Sequence, residues 1–367
     1  MESTKKMAIG KCFRCGKPVP MLVPLGAVNC STLCCDCKNI STNNNNNPNR
    51  PQYWVNNAPS VIYVNHPPPH HQHSLPRPPP PPPSPYGNKR ALLIGITHYN
   101  NRNMNMGSLN DVNSIKYFLI HNLDFPIHSI CMLTDDIQER DPLRIPTKRN
   151  ILKAMRWLLE GSQPGDSLVF YFSGHGAREV DHSGDEIDGY DEAICPLDYE
   201  KEGNIIDDQI NATIVRPLPY GAKLHAIVDA SFSGTILDLP FICTTNRKGN
   251  YVWANKKRRR GGYRGTNGGL AVCLSACGDE GKAAEAYSGM ESSGVFTYSF
   301  IKAMQEDPPL TYANLLTSML STIREASKGQ FGLIARHNAM DTPLQYAHEP
   351  QLSSSDKFPI YSRPVLM

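Results

Sequence analysis

Short apolar runs alternate with amphipathic segments from Lys89 onward. Helical spacing occurs at residues 111–123, 147–161, 295–305 and 311–327, with Asp111 and Thr147 as candidate N-caps. Runs of strand length are RALLIGIT (90–97), SICMLTDD (129–136), SLVFYFSGHG (167–176), KLHAIVDA (223–230) and GLAVCLSAC (269–277). Apolar strands that alternate with helices form a mostly parallel sheet covered on both faces, so the pattern predicts an α/β fold.

The part of the chain before Lys89 does not carry this pattern and divides by composition. Residues 1–40 are rich in cysteine, and residues 41–88 are rich in asparagine, histidine and proline. Polyproline stays extended and builds no core, so we expect residues 41–88 to be a disordered linker. Pro78–Pro83 could alternatively bind an aromatic groove. The chain is therefore predicted to have three regions, 1–40, 41–88 and 89–367.

Charge and composition narrow the location and the partners. The chain has 367 residues and a net charge of +3, which is too small to indicate nucleic-acid binding. No apolar run approaches the roughly 20 residues of a membrane helix, and the N-terminus lacks the apolar core of a signal peptide. We expect a soluble, cytoplasmic protein, with the nucleus as a second location, that requires neither nucleic acid nor a membrane.

Candidate chemistry lies at two predicted strand ends, where α/β sheets collect their functional residues. His175 follows an apolar strand between two glycines and is a poor core residue, so we expect it to be catalytic. The N–H of Gly176 is a candidate oxyanion donor. Ser231 follows the next strand and could form a nucleophile–base pair with His175. Its surroundings are not the G-x-S-x-G elbow of hydrolases, so spacing alone leaves its role open.

Four segments resemble the metacaspases, specifically the plant type I group. They are SLVFYFSGHG (167–176), GDEIDGYDEAICPLD (184–198), IIDDQINATIVRPLPYGAKLHAIVDA (205–230) and SGTILDLPFIC (233–243). The resemblance covers residues 89–367 and extends to the zinc-finger prodomain and proline-rich linker of that group. It implies a caspase-like fold, a monomer, a Cys–His dyad, calcium-dependent cleavage after Arg or Lys, and a link to regulated cell death. His175 matches the catalytic histidine.

The nucleophile departs from the family pattern. Metacaspases read Asp-Ala-Cys-His-Ser-Gly or close to it, whereas this chain reads DASFSG at residues 229–234, with Ser231 in place of the cysteine and Phe232 in place of a polar residue. A cysteine has a pKa of about 8.5 that neighbours can lower, so a thiolate is ready before substrate binds. A serine must lose its proton during attack, to a base that a third group orients. We expect a rate lower by several orders of magnitude.

Several functions are consistent with this departure. The first is a regulatory pseudoprotease that is weakly active or inactive and binds substrates or partners of active relatives. The second is an endopeptidase that uses Ser231 slowly, and the third is a cysteine metacaspase in which Ser231 is a variant of the catalytic residue. A scaffold that binds partners through its zinc finger is a further alternative.

The resemblance also assigns a pocket for the basic residue of the substrate. Asp111 and Asp229 match the carboxylates of that pocket, and Ser173 matches a polar position beside them. Ser108 replaces a cysteine that plant members usually have. A guanidinium binds a carboxylate best in a partly desolvated slot. An N-cap for Asp111 and a solvated strand end for Asp229 are the purely structural alternatives.

Calcium ligands are implied by resemblance at Asp191, Asp207, Asp208 and Asp238, with Asp188 as the alternative to Asp191. The segment after His175 is rich in carboxylates, and Ca²⁺ prefers such oxygen ligands on flexible segments. An acidic loop that is only solvated would show the same composition.

A basic, glycine-rich segment divides the metacaspase-like region. By resemblance, residues 89–245 form a large-subunit-like part, 246–268 a basic linker loop and 269–367 a small-subunit-like part. The basic residues at 256–264 could be a flexible insertion, a cleavage site for a Lys/Arg-specific protease, or a nuclear-import patch.

The cysteine-rich module predicts a zinc site. Cys12 and Cys15 form a C-x-x-C pair, and four thiolates suit tetrahedral zinc. The resemblance places the third ligand at Cys30 and the fourth at the position of Leu33, so the usual spacing is broken by one residue and Cys34 could substitute. Alternatively, Cys34 and Cys37 form a second C-x-x-C pair, which would leave Cys30 free. Such modules imply regulatory protein partners.

Overall fold

The computed structural model divides the chain into two units, Met1–Pro81 and Pro82–Met367. In the first unit, strands β1 (Lys5–Lys11) and β2 (Pro18–Pro24) pair antiparallel. The structure describes residues 5–11, 18–24, 88–99, 102–103, 107–184, 186–256, 264–276, 293–306, 310–327 and 349–367. Outside these residues lie almost all of the predicted linker and the predicted zinc ligands Cys12, Cys15, Cys30, Cys34 and Cys37.

An eight-stranded sheet is the centre of the second unit. The strands of this unit are β3 (Lys89–Gly95), β4 (His98–Tyr99), β5 (Arg102–Asn103), β6 (Ile130–Thr134), β7 (Ser167–Ser173), β8 (Gly176–Val180), β9 (Tyr190–Ile194), β10 (Ile205–Ile206), β11 (Lys223–Asp229), β12 (Phe241–Thr245), β13 (Tyr251–Asn255), β14 (Leu270–Ser275) and β15 (Gln351–Ser354). The large sheet has the order β13-β12-β15-β14-β11-β7-β3-β6. Strands β14, β11, β7, β3 and β6 are parallel, whereas β15, β12 and β13 pair antiparallel. A separate antiparallel sheet contains β8, β9 and β10.

Helices cover both faces of the large sheet. They are α1 (Ser108–Asn122), α2 (Lys148–Leu159), α3 (Tyr199–Glu202), α4 (Asp207–Ile210), α5 (Ser293–Met304) and α6 (Tyr312–Ser327), with a π-helical segment at Asn211–Val215. Along β7, Leu168, Phe170 and Phe172 pack on the face of α2, and Val169 and Tyr171 pack on the face of α1, α5 and α6. Because alternate strand residues point to opposite faces, the uniformly apolar β7 has a hydrophobic layer on each side. The predicted α/β architecture, a mostly parallel central sheet flanked by helices, is confirmed.

The two predicted N-caps have different outcomes. The Thr147 hydroxyl accepts from the N–H of Asn150 at 3.3 Å, so Thr147 caps α2 as predicted, and this helix ends at Leu159. Helix α1 begins earlier than predicted, with Gly107 at its N-cap, and Asp111 lies inside its first turn. The N-cap prediction for Asp111 is therefore wrong, because the helix extends one turn further towards the N-terminus.

The antiparallel strands were not predicted. Strand β13 lies within residues 246–268, so the loop prediction is wrong for residues 251–255. Tyr251 and Trp253 alternate along this strand and pack on the core. The alternation of apolar residues is too short to predict a strand, because a run of basic residues follows it directly. Among the described residues, no helix is long and apolar enough to cross a membrane.

Candidate active site

The carboxyl ends of three neighbouring strands lie side by side. Gly95 of β3 pairs with Ser173 of β7, and Ser173 pairs in turn with Asp229 of β11. The N–H of Gly174 donates to the Asp229 carbonyl at 3.3 Å, so the two segments stay adjacent where the strands end. Residues that follow these strands therefore meet at one edge of the sheet, where α/β sheets bind ligands.

His175 and Ser231 follow β7 and β11 closely, and the segments that carry them are in close contact. A Cβ built at Gly176 would overlap the Ser231 carbonyl oxygen, so the two segments can approach only with glycine at position 176. The N–H of Cys195 donates to the His175 carbonyl at 3.0 Å and fixes the turn beside β9. The structure thus brings the predicted residues His175, Gly176 and Ser231 together.

Burial affects the protonation of His175. The side chain is half-buried, and burial lowers the pKa of His175 below its usual value because the imidazolium loses solvation. A neutral imidazole near pH 7 can accept a proton from a neighbouring hydroxyl or thiol, as a general base must. The environment of His175 is therefore suited to proton transfer.

The residue after Ser231 has an unusual backbone conformation. Phe232 has a φ of 52°, in the left-handed region that bulky residues rarely occupy, and its side chain is half-buried. The Ser233 hydroxyl donates to the Ala230 carbonyl at 2.7 Å and fixes the turn around it. Backbone strain of this kind costs about 1–3 kcal/mol and clusters at functional sites. The strain lies next to the predicted nucleophile position.

Asp111, Ser173 and Asp229 form a group that we call the carboxylate pocket. The Ser173 hydroxyl donates to Asp111 Oδ2 at 3.3 Å. Asp111 is 7% exposed and Asp229 is 1% exposed, so Asp229 is not a solvated strand end. Ser108 is fully buried at the start of α1, the helix that carries Asp111. The structure therefore brings the three predicted pocket residues together in the interior.

Thr297 of α5 completes this pocket. Its N–H and its hydroxyl donate to Asp229 Oδ2 at 3.2 and 2.7 Å, and the Tyr171 hydroxyl lies 2.8 Å from Thr297 Oγ1. Burial raises the pKa of Asp229 well above its usual value, the charge of Asp111 raises it further, and the Thr297 bonds oppose this. An incoming cation would stabilise such a carboxylate. No sequence signal pointed to Thr297, which is far from Asp229 along the chain.

A second buried group consists of Glu186, Asp207 and Asp238, which we call the acid cluster. One carboxylate oxygen from each residue lies within 4.8 Å of the others. Among the described residues, Asp207 Oδ2 is buried and has no hydrogen-bond partner. Oxygen ligands at this spacing fit a hard cation such as Ca²⁺. The cluster contains two of the four predicted calcium ligands, Asp207 and Asp238, together with Glu186.

The other predicted calcium ligands flank the acid cluster. Asp191 in β9 is buried, and its charge raises the pKa of Asp207. Asp208 accepts from the Arg264 guanidinium, and the alternative ligand Asp188 is exposed and pairs with Arg178. The sequence did not identify Glu186 as a ligand because the whole segment is acidic.

Two basic residues enter the acid cluster. Lys256 Nζ lies 2.9 Å from Glu186 Oε1 and 3.0 Å from Asp238 Oδ1, and Arg264 lies 3.0 Å from Asp238 Oδ2. Burial raises the pKa of Asp207 to about 8, the charge of Lys256 opposes this, and neighbouring carboxylates add to it. The cluster is therefore only partly neutralised. Between these two residues, the predicted basic segment at 257–263 lies outside the described residues.

Comparisons with known proteins identify the family to which the chain belongs. The family described as metacaspase, peptidase C14 domain, matches residues 89–240. Metacaspase-3 of Arabidopsis thaliana is 48% identical over 77% of this chain and 77% of its own length, and Metacaspase-1 of the same plant is 44% identical over 77% and 80%. A solved structure from Geobacter sulfurreducens aligns with a TM-score of 0.46 at 15% identity, over 76% of this chain and 97% of that chain. The chain therefore belongs to the metacaspase family of cysteine peptidases, whose substrates are proteins.

Proposed function

We propose that this chain is a regulatory pseudoprotease that binds basic residues of proteins in a metacaspase site and cleaves them slowly or not at all. The observation that carries the proposal is the residue at the nucleophile position, which is Ser231, on a segment that contacts the glycine after His175. A hydroxyl is a far weaker acid than a thiol and must be deprotonated during attack, whereas a thiolate can be present before substrate binds. Binding can then persist while turnover is lost.

The strained backbone next to Ser231 supports the same proposal. Phe232 has a left-handed conformation and replaces a polar residue of the family pattern. A phenyl ring cannot accept or relay a proton, so this loop departs from the family pattern at two consecutive positions. The Gly176 N–H is retained as a candidate oxyanion donor.

Recognition of Arg or Lys is proposed for the carboxylate pocket. Asp229 is buried, and its described hydrogen-bond donors are the two neutral groups of Thr297. Burial raises the pKa of Asp229, and an entering guanidinium or ammonium would lower it again by pairing with the carboxylate. This electrostatic gain favours basic over neutral side chains.

Calcium is proposed as the cation of the acid cluster, held by Asp207, Asp238 and Glu186. Its role would be to fix the loop that carries both Ser231 and Asp238. Zinc binding by four of Cys12, Cys15, Cys30, Cys34 and Cys37 stays a prediction from the sequence, as does regulation through that module.

The test measures cleavage and binding of the same peptide. We would compare the chain with S231C and S231A, using a fluorogenic peptide that carries Arg before the scissile bond, with calcium. We expect S231C to cleave and the unaltered chain to match S231A, because only the thiol is missing. Fluorescence anisotropy with an Arg peptide that cannot be cleaved should show that the unaltered chain, S231C and S231A all bind it.

Other outcomes identify the alternatives. Cleavage by the unaltered chain that S231A abolishes would establish a slow serine endopeptidase and contradict the pseudoprotease. If S231C is inactive, the double variant S231C/F232H tests whether Phe232 also prevents cleavage. Absence of peptide binding by every variant would contradict the proposed recognition of basic residues.

A further inference from the structure

The acid cluster already contains a positive charge that belongs to the chain. The ammonium of Lys256 contacts Glu186 and Asp238, and the side chain of Lys256 is only 7% exposed. A lysine is almost never buried to this extent unless carboxylates pair with it. Lys256 follows β13 directly, so the strand that pairs with β12 directs this side chain inward.

A second cation approaches the same carboxylate from the far end of the basic segment. Arg264 contacts Asp238 Oδ2 at 3.0 Å and also pairs with Asp208. Lys256 contacts the other oxygen of Asp238, at 3.0 Å. Asp238, which is itself 1% exposed, therefore has a basic partner at each of its two carboxylate oxygens.

We propose that the acid cluster is a cation site whose resting occupant is the Lys256 ammonium, and that a divalent cation binds there only in exchange for Lys256. The exchange frees the Lys256 ammonium from Glu186 and Asp238. This inference rests on the proposed calcium binding, and it adds the residue that competes with the metal.

Competition follows from the atoms involved. The oxygens that Lys256 contacts, Glu186 Oε1 and Asp238 Oδ1, are on two of the three carboxylates that would ligate the metal. Ca²⁺ requires six to eight oxygen ligands at about 2.3–2.6 Å. An ammonium at the same oxygens would be repelled at short range in a buried, weakly screened site. The two cations therefore exclude each other.

The exchange acts on the loop that carries the nucleophile position. Ser231 and Asp238 lie on the same connection between β11 and β12. Asp238 has a φ of 51°, a left-handed conformation, and Thr235 donates from the same loop to Glu192 of β9. A change of partner at Asp238 therefore acts on a loop whose conformation is tightly constrained.

Lysine labelling of the unaltered chain tests the occupancy directly. Reductive methylation followed by mass spectrometry measures the reactivity of Lys256 and of the exposed Lys248, in chelator, in Ca²⁺ and in Mg²⁺. We expect Lys256 to react at least about tenfold more slowly than Lys248 in chelator, and at a similar rate in saturating Ca²⁺. If Lys256 reacts as fast as Lys248 in chelator, or stays protected once calcium is bound, the proposal is wrong.

Calorimetric calcium titration of K256M and of the control K248M tests the competition. We expect K256M to bind Ca²⁺ at least about tenfold more tightly than the unaltered chain, and K248M to bind it unchanged, because only Lys256 occupies the site. Equal affinities in K256M and the unaltered chain would contradict the exchange and leave the proposed calcium site intact. No binding by any form would contradict the calcium site itself and, with it, the exchange.

Discussion

The carboxylate pocket and the acid cluster are both buried groups of carboxylates, but their neighbours differ. Asp229 in the pocket accepts hydrogen bonds from the N–H and hydroxyl of Thr297, and no lysine or arginine among the described residues contacts it. In the cluster, Lys256 lies between Glu186 and Asp238. Asp229 is bound by neutral donors, whereas Glu186 and Asp238 are bound by a cation of the same chain.

This difference determines what each group can bind. A buried carboxylate with only neutral donors has no internal counter-ion, so a cation from outside can pair with it without displacing another cation. A carboxylate that already pairs with lysine gains much less, because the incoming cation must displace the resident one. The pocket is therefore suited to a basic side chain of another protein, and the cluster is suited to exchange.

Removal of the internal cation should have the largest effect on stability. Lys256→Met leaves Glu186 and Asp238 without the ammonium that neutralises them, and we expect a loss of about 3–5 kcal/mol in the free energy of unfolding. Urea denaturation in chelator measures this loss. Lys248→Met, which removes an exposed lysine from the neighbouring turn, should change it by less than about 0.5 kcal/mol. Equal stability of K256M and K248M would contradict the conclusion that Lys256 neutralises the acid cluster.

The corresponding change in the pocket should have the opposite sign. Asp229→Asn keeps an acceptor for Thr297 and removes a buried carboxylate whose pKa is raised, so we expect a gain of about 1–2 kcal/mol at pH 7. Binding of the Arg peptide should be lost at the same time. The control is Asp124→Asn, at an exposed position where asparagine suits the left-handed φ of 53°. A destabilised D229N that still binds the peptide would contradict both parts.

The parallel half of the sheet could be predicted from the sequence, and the antiparallel half could not. Strands β3, β7, β11 and β14 are buried on both faces, so each is a continuous apolar run that is visible locally. The edge strand β6 is only partly buried, but it carries a similar short apolar run. Strands β12, β13 and β15 are held by partners distant in sequence, and Ser353 and Ser354 of β15 give no apolar signal at all. Their pairing depends on tertiary contacts, which no local pattern contains.

The same distinction applies to the candidate sites. His175 and Ser231 could be placed because they directly follow apolar strands, and parallel strands end at a common edge. Thr297 and Lys256 could not be placed from the sequence. Helix α5 brings Thr297 to Asp229, and strand β13 brings Lys256 to Glu186 and Asp238, and these partners are distant along the chain. The sequence could not separate an N-cap role of Asp111 from a position inside α1, because a carboxylate suits any position in the first turn of a helix.

The pH dependence of stability tests the acid cluster separately from Lys256. Asp207 has its pKa raised from 3.8 to about 8 in the folded protein, so between these values the folded chain binds a proton that the unfolded chain releases. Stability contributed by this group is present below about pH 4 and is lost as pH rises towards 8, at about 1.4 kcal/mol per pH unit. Asp207→Asn should remove this slope.

Urea denaturation in chelator at pH 5, 6, 7 and 8 measures the slope, with Asp124→Asn again as the control. The difference in unfolding free energy between D207N and the unaltered chain should grow with pH up to about 8, whereas D124N should follow the unaltered chain. Parallel curves for D207N and the unaltered chain would show that Asp207 is already ionised and that Lys256 neutralises the cluster fully.

The smallest expected effect concerns the neutral donors that distinguish the pocket. Thr297→Val removes the hydroxyl that donates to Asp229 and leaves the buried hydroxyl of Tyr171 without that partner, so we expect a loss of about 1 kcal/mol in stability. Thr297→Ser keeps the hydroxyl and should retain stability and peptide affinity. In the double variant Y171F/T297V, the stability loss should be smaller than the sum of the two single losses, because neither hydroxyl is left unpaired.

If T297V binds the Arg peptide as tightly as T297S does, the Thr297 hydroxyl does not position Asp229, and burial alone accounts for the properties of the pocket.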